Sequence, residues 1–178
     1  MIDTERLIRK AAAYGIDVAP VVRKLDEYAA LLVEYNQKVN LTAITDAEGI
    51  EDRHFIDSLL LAARPEVCGR MVDVGTGAGF PGIVAKLFRP ELDLTLMEPT
   101  GKRVDFLKYA CSALGVEAEF AKERAEEAAR KIWREQFDVA SARAVGRGRG
   151  RTAGAGRVLP ALAEAGRRVH CHERQRRG

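Results

Sequence analysis

The chain has 178 residues and a formal net charge of +3, a length that suits one domain with at most a small helical extension. Hydrophobic residues make up 47% of the sequence and aromatic residues only 6%, so we expect an aliphatic core. No apolar run is long enough to span a membrane, and the acidic N-terminal segment lacks the layout of a signal peptide. The three cysteines are far apart and odd in number, which fits a reducing cytoplasm, so we expect a cytoplasmic protein that does not bind membranes.

Apolar residues spaced three and four apart predict helices near the beginning of the chain, over 3–14, 21–39 and about 47–63. Short apolar runs then predict strands over 71–74, 92–97, 116–121 and 137–141. Between them the sequence predicts helices over 82–88, 102–114 and 125–133. This alternation predicts an α/β fold with a parallel sheet, in which ligands bind at the carboxyl ends of the strands.

The glycine-rich loop after the first predicted strand supports two interpretations. Gly77, Gly79 and Gly82 fit the dinucleotide pattern G-x-G-x-x-G, whose helix N-terminus holds a pyrophosphate. Gly75, Gly77 and Gly79 instead form G-x-G-x-G, with Asp73 two residues earlier, which is typical of S-adenosylmethionine sites. Because Asp73 would repel a pyrophosphate but is tolerable beside a sulfonium zwitterion, the second interpretation is favoured. An NAD-dependent oxidoreductase remains the alternative.

An acidic residue also ends the second predicted strand. In nucleoside-binding α/β folds an acid at the place of Glu98 accepts hydrogen bonds from the ribose hydroxyls. Glu98 follows the glycine loop closely in the chain, so we expect the two to form one site. The alternative is that Glu98 is an ordinary solvated acid on the surface.

Five phrases carry a family resemblance, and they occur in this order: Tyr35–Thr42, Arg53–Leu59, Asp73–Gly82, Gly101–Leu107 and Ser141–Ala144. Together they resemble the glucose-inhibited division protein B family, bacterial methyltransferases that act on the N7 atom of a guanine in small-subunit (16S) ribosomal RNA. The resemblance covers about residues 20–145. It implies a Rossmann-like S-adenosylmethionine-dependent methyltransferase fold, with an N-terminal helical cap over 1–66 and a cofactor-binding α/β domain over 67–145.

The resemblance also implies where the cofactor binds. Besides Asp73, Gly77 and Gly79, the expected contacts with S-adenosylmethionine are Gly75, Phe80, Glu98, Pro99, Thr100, Ala125, Glu126 and Arg143. Arg143 is also the candidate catalytic residue, near the methyl group or the substrate. Its alternative role is structural, as an arginine that pairs with Asp73 or Glu98. No metal site is implied.

Four basic residues are candidate contacts with ribosomal RNA phosphates: Lys38, Arg53, Lys102 and Arg103. His54 and Asp57 share a helix face and resemble an acid/base pair. We favour a structural role for them, because guanine N7 has a lone pair and no proton to lose. Nothing in the sequence signals an oligomer, so we expect a monomer.

The last 33 residues depart from the family. Residues 146–178 carry nine arginines and a net charge of +7, whereas residues 1–145 carry −4. Reading the codons of Gly166–Arg174 from their second base permits Gly-Gly-Val-Phe-Ile-Ala-Met-Lys-Gly, the closing phrase of the family. We therefore interpret 146–178 as an aberrant tail, disordered or produced by a frameshift, in place of the C-terminal strands.

This interpretation has consequences for the fold and for activity. No strand is expected after residue 145, so the edge of the fourth strand should be exposed and Val139 should lose partners. The activity of this chain is then doubtful. The competing hypothesis is a genuine Arg-Gly arm on a non-enzymatic RNA-binding module.

Overall fold

A computed structural model describes residues 1–124 and 137–142, together with the backbone of 157–158. The N-terminal part is helical, as the apolar spacing predicts. Helix α1 spans Thr4–Ala12 and α2 spans Val22–Asn36. The third predicted helix is a continuous run of α3 (Ala47–Ile50), a π-helical segment (Glu51–Ile56) and α4 (Asp57–Ala62).

Short polar side chains fix where two of these helices begin. The carboxylate of Asp3 accepts a hydrogen bond from the amide of Arg6 at 2.9 Å and so caps α1. Asp46 caps α3 in the same way through the amide of Gly49, at 2.7 Å. The predicted helices at 3–14, 21–39 and 47–63 are thus confirmed to within three residues at each end.

The remaining elements form a sheet with helices, in the predicted alternation as far as Ala121; the helix predicted over 125–133 lies outside the described residues. The strands are β1 (Arg70–Val74), β2 (Asp93–Met97), β3 (Glu119–Ala121), β4 (Val139–Ala142) and β5 (Arg157–Val158). Helices α5 (Gly82–Phe88) and α6 (Gly101–Leu114) follow β1 and β2. The order in the sheet is β3-β2-β1-β4-β5, and β1 to β4 run parallel, which confirms the Rossmann-like α/β prediction.

The strand order determines where a ligand can bind. From β1 the chain crosses to β2 on one side and later returns to β4 on the other, so the strand order reverses at β1. In open α/β sheets ligands bind in the crevice outside the carboxyl ends of the strands at such a switch point. The loops after β1 and β2 both leave the sheet at this edge.

The sequence predicts an exposed edge of the fourth strand, with no further strand paired to it, and the structure differs. Strand β5 pairs antiparallel with β4, with Val158 opposite Ser141 and Arg157 opposite Ala142. The prediction that no strand follows residue 145 is therefore wrong for Arg157–Val158. Val139 is buried at 3% exposure, so it is not uncovered at this edge, and its loss of partners relative to the complete family fold stays a prediction. The rest of the 146–178 segment lies outside the described residues.

One hydrophobic core joins the cap to the sheet. The cluster includes Leu25 of α2, Leu59 of α4, Ile83 of α5 and Leu107 of α6. The cap over 1–66 therefore shares its core with the α/β part, and its division from 67–145 stays a prediction. None of the helices within 1–124 and 137–142 is both long and apolar enough for a membrane crossing.

Candidate cofactor-binding site

The backbone of the loop between β1 and α5 adopts conformations that favour glycine. Gly75, Gly77 and Gly79 have φ angles of +66°, +60° and +96°. L-residues with a side chain rarely adopt such angles, because the Cβ atom approaches the backbone too closely. The amides of Gly75 and Thr76 donate to the carbonyl of Met97 at 2.8 and 3.2 Å, which fixes the loop to the end of β2.

The glycines of this loop differ in what lies beside them. A Cβ atom on Gly75 would meet nothing within 4 Å, and one on Gly77 would reach only the Gly75 carbonyl, at 4.0 Å. A Cβ atom on Gly82 would instead collide with the Leu96 side chain at 2.6 Å, and one on Gly79 with Tyr28 and Ile83. Gly75 and Gly77 therefore form an open ledge, whereas Gly79 and Gly82 allow close packing.

Glu98 lies beside this ledge at the end of β2. One carboxylate oxygen accepts a hydrogen bond from the amide of Gly77 at 3.0 Å, and the other accepts one from the amide of Thr100 at 3.0 Å. The guanidinium of Arg103 lies 3.9 Å from the second oxygen. The structure thus joins Glu98 to the glycine loop as the sequence predicted, with the acid only 3% exposed.

Asp73 lies beneath the loop rather than on its surface. Its side chain is fully buried. One oxygen accepts hydrogen bonds from the Thr76 hydroxyl at 2.5 Å and the Gly82 amide at 2.9 Å, and the other accepts from the Ser141 hydroxyl at 2.9 Å. Asp73 therefore ties the loop, the start of α5 and β4 together, and a direct contact with a cofactor stays a prediction.

The Phe80 ring is buried and packs among aromatic side chains of the cap. It stacks on the His54 ring with centroids 4.4 Å apart and 7° between the planes, and on Tyr28 at 5.0 Å and 25°. Phe55 packs against both Tyr28 and Phe80, with 6.1 Å between centroids in each case. The ring thus has a packing role in the cap, and a contact of Phe80 with a cofactor stays a prediction.

His54 is packed and hydrogen-bonded, which agrees with the structural role favoured from the sequence, and that role stays a prediction. Its side chain is buried, and Nε2 lies 3.1 Å from the Thr42 hydroxyl.

Tyr28 is a loop contact that the sequence did not predict, and its hydroxyl donates to the Ala78 carbonyl at 2.5 Å. Its position three residues after Leu25 and four before Leu32 on the apolar stripe of α2 was the available signal.

The remaining site candidates fall into three groups. Pro99 and Thr100 are exposed just before α6, next to the ledge. Lys102 is exposed and Arg103 is partly exposed at the same edge, whereas Lys38 and Arg53 are exposed on the cap. Three candidates lie outside the described residues: Ala125, Glu126 and Arg143. In the part of the chain that the structure describes, no group of three or more His, Cys, Asp or Glu side chains could hold a metal ion.

Comparison with known proteins identifies the family. The family model described as rRNA small subunit methyltransferase G matches residues 21–160. The chain belongs to this family. The match extends about 15 residues beyond the resemblance seen in the sequence, into the basic tail, and the nicotinamide-dependent alternative is not favoured.

Several relatives share the description "Ribosomal RNA small subunit methyltransferase G". The protein from Moorella thermoacetica is 43% identical over 152 residues, which cover 80% of this chain and 62% of the relative. The one from Caldanaerobacter subterraneus is 42% identical over 146 residues, 79% of this chain and 61% of the relative. The one from Alkaliphilus metalliredigens is 48% identical over 128 residues, 70% and 54% respectively. The chain thus spans about 60% of the length of these relatives.

Proposed function

We propose that this protein transfers a methyl group from S-adenosylmethionine to the N7 atom of a guanine in 16S ribosomal RNA. Membership of the family supports a methyltransferase, and the names of the relatives support ribosomal RNA as the substrate. The observation that carries the proposal is the open ledge of Gly75 and Gly77 beside the Glu98 carboxylate. We further propose that the protein acts in the cytoplasm as a monomer.

The residues present fit S-adenosylmethionine. A carboxylate has about four lone-pair positions. Since the amides of Gly77 and Thr100 occupy one each, Glu98 can still accept hydrogen bonds from the two ribose hydroxyls. Without Cβ atoms, Gly75 and Gly77 let the backbone lie close to the methionine part. We assign the adenine side of the site to Ala125 and Glu126.

The chemistry asks little of the protein beyond positioning. When bound, S-adenosylmethionine supplies a methyl group on a positively charged sulfur. Guanine N7 has an in-plane lone pair and no proton, so no side chain has to act as a base. The protein must hold the two reactants in line and exclude water from between them. Glu98 and the ledge hold one reactant, and we propose that Arg143 lies near the reacting atoms.

Calorimetry and nucleoside analysis test this proposal together. The chain is titrated with S-adenosylmethionine, S-adenosylhomocysteine and NAD, and we expect the first two to bind and NAD not to. Small ribosomal subunits lacking the modification are then incubated with protein and S-adenosylmethionine, and their RNA is digested to nucleosides. We expect 7-methylguanosine by mass spectrometry, at a rate below that of a frame-restored protein where residues 146–178 replace the family's C-terminal strands, and at a much lower rate with Arg143→Ala. Binding of NAD alone, or methylation at another atom, would overturn the assignment.

The basic tail requires a separate test. Sequencing the underlying DNA shows whether a shift of frame near Val145 restores an open reading frame with the family's closing phrase. If stop codons interrupt the shifted frame, or if it does not encode that phrase, the frameshift hypothesis is wrong. Deleting 146–178 and measuring RNA affinity tests the Arg-Gly arm, which unchanged affinity would exclude.

A further inference from the structure

We propose that Tyr28, in the helical cap, is a positioning residue for the cofactor loop, because its hydroxyl holds the carbonyl of Ala78. This inference rests on the proposed function, in which the ledge of Gly75 and Gly77 binds S-adenosylmethionine. The cap would then contribute to cofactor affinity without touching the cofactor.

The contact between Tyr28 and the loop is buried and long-range. Tyr28 lies on α2, 50 residues before Ala78, and its side chain is fully buried. A tyrosine hydroxyl is a donor at neutral pH, and burial raises the pKa of Tyr28 well above its usual value of 10, so it stays a donor in alkaline solution as well. A buried carbonyl without a donor is costly, so the loss of this hydroxyl would favour a different loop conformation.

Ala78 is where the loop is bound to the cap rather than to the sheet. The amides of Gly75 and Gly77 bond to residues at the end of β2, and the amides of Gly79 and Phe80 bond back to the Thr76 carbonyl at 3.0 and 3.2 Å. The Tyr28 hydroxyl adds a hydrogen bond from the loop to α2. The ledge is thus held between β2 and α2.

Two neighbouring contacts match the loop to this tyrosine. A Cβ atom on Gly79 would collide with the Tyr28 hydroxyl, so the glycine leaves the space that the hydroxyl occupies. The Tyr28 ring also stacks on Phe80, the next residue of the loop. The hydroxyl thus contacts the loop at Ala78 and Gly79, and the ring contacts it at Phe80. Contacts with three successive residues of the loop favour a role in positioning the loop over a role in core packing alone.

The test is Tyr28→Phe in the full chain, which removes the hydroxyl and keeps the ring. We expect the Kd for S-adenosylhomocysteine and the KM for S-adenosylmethionine to rise about tenfold. This corresponds to part of the free-energy cost of leaving a buried carbonyl without a donor. Because no group at the reacting atoms changes, kcat should stay within about twofold. The matched control is Tyr35→Phe on the same helix, whose ring contacts Phe106 and Tyr109 instead of the loop.

Hydrogen exchange gives a readout that does not depend on the ligand. The Gly79 and Phe80 amides should exchange faster in Tyr28→Phe than in wild type or Tyr35→Phe. Unchanged KM and unchanged exchange at a temperature where the variant is folded would overturn the proposal, even if Tm falls. If wild type binds no S-adenosylhomocysteine, the proposed function fails, and exchange still decides whether Tyr28 holds the loop.

A double-mutant cycle of Tyr28→Phe with Gly79→Ala gives a second test, because it compares losses of affinity rather than the stability of one variant. Removing the hydroxyl should relieve part of the collision that Gly79→Ala creates, so the two losses of cofactor affinity should be less than additive. Additive losses would contradict a direct match between Tyr28 and Gly79.

Discussion

The amide of Gly77 donates a hydrogen bond to the carboxylate of Glu98 over 3.0 Å, so the loop after β1 and the acid after β2 form one unit. The two residues come from adjacent parallel strands, and each helps to place the other. A change at Glu98 therefore affects both the acceptor for a ribose and the ledge beside it.

Glu98→Gln should weaken binding of S-adenosylhomocysteine about ten- to a hundredfold, since hydrogen bonds to a charged acceptor contribute about 1.5–3 kcal/mol. The amide NH₂ would also face a backbone donor at Gly77 or Thr100. Calorimetry measures the change. Glu91→Gln, exposed in the turn before β2, is the control and should bind normally. Equal affinities in the two variants would exclude Glu98 from the site.

Two glycine substitutions should separate binding from stability. Gly82→Ala should lower the free energy of unfolding by about 1–3 kcal/mol, because its Cβ atom collides with Leu96 and Asp73. Gly75→Ala has space for the new atom and costs about 1–2 kcal/mol for its positive φ. Its methyl group should occupy the ledge, so cofactor affinity should fall more than in Gly82→Ala. Denaturant melts and calorimetry on both variants check this, and a reversed ranking of the affinities would count against the ledge.

The sequence predicted the elements well and the contacts between them poorly. Helix spacing placed Tyr28 on a helix, and the glycine phrase placed Ala78 in a loop. No local pattern shows that a hydroxyl and a carbonyl 50 residues apart meet. The π-helical segment that carries His54 has the same apolar spacing as the α-helix around it, so its altered hydrogen bonds are not readable from the sequence. Strand β5 was missed because Arg157–Val158 is too short for a pattern.

The Arg6–Glu51 pair should stabilise the docking of α1 on the π-helical segment. Glu51 is fully buried, and the Arg6 guanidinium contacts both its oxygens, at 2.6 and 2.7 Å. Arg6→Gln leaves a buried carboxylate without its main partner, so Tm should fall by several degrees. Arg9→Gln, exposed on the same helix, should leave Tm nearly unchanged. Similar melting curves for the two variants would show that the pair contributes little.

RNA binding should depend on the basic residues beside the ledge. Lys102→Gln with Arg103→Gln should weaken binding to small-subunit RNA and reduce the slope of log K against log salt by about 1 for each phosphate that is no longer neutralised. Since Arg103 also lies 3.9 Å from Glu98, S-adenosylhomocysteine affinity must be measured in parallel. Arg23→Gln, exposed at the beginning of α2, is the control. An unchanged slope would remove Lys102 and Arg103 from the RNA interface.

Cys111 should make stability depend on alkaline pH. Burial raises the pKa of its thiol from 9.0 to about 12, so the folded protein holds this proton where the unfolded chain has lost it. The contribution is therefore complete below pH 9 and is lost as pH rises toward 12. Melts between about pH 8 and 11 should show a smaller decline for Cys111→Ala than for wild type. In the native protein the thiol should also resist iodoacetamide at about pH 8 and react only after unfolding.

The Asp73 carboxylate has a consequence for how the sheet comes apart. Because it accepts hydrogen bonds from Thr76 and Gly82 on one side and from Ser141 on the other, separating β4 from β1 also removes support from the cofactor loop. Local opening of β4 and loss of the ligand-competent loop are then thermodynamically linked. A ligand that stabilises the loop must, to the same extent, oppose the release of β4. Occupancy of the site would thus protect β4 against local opening through the hydrogen bonds of Asp73.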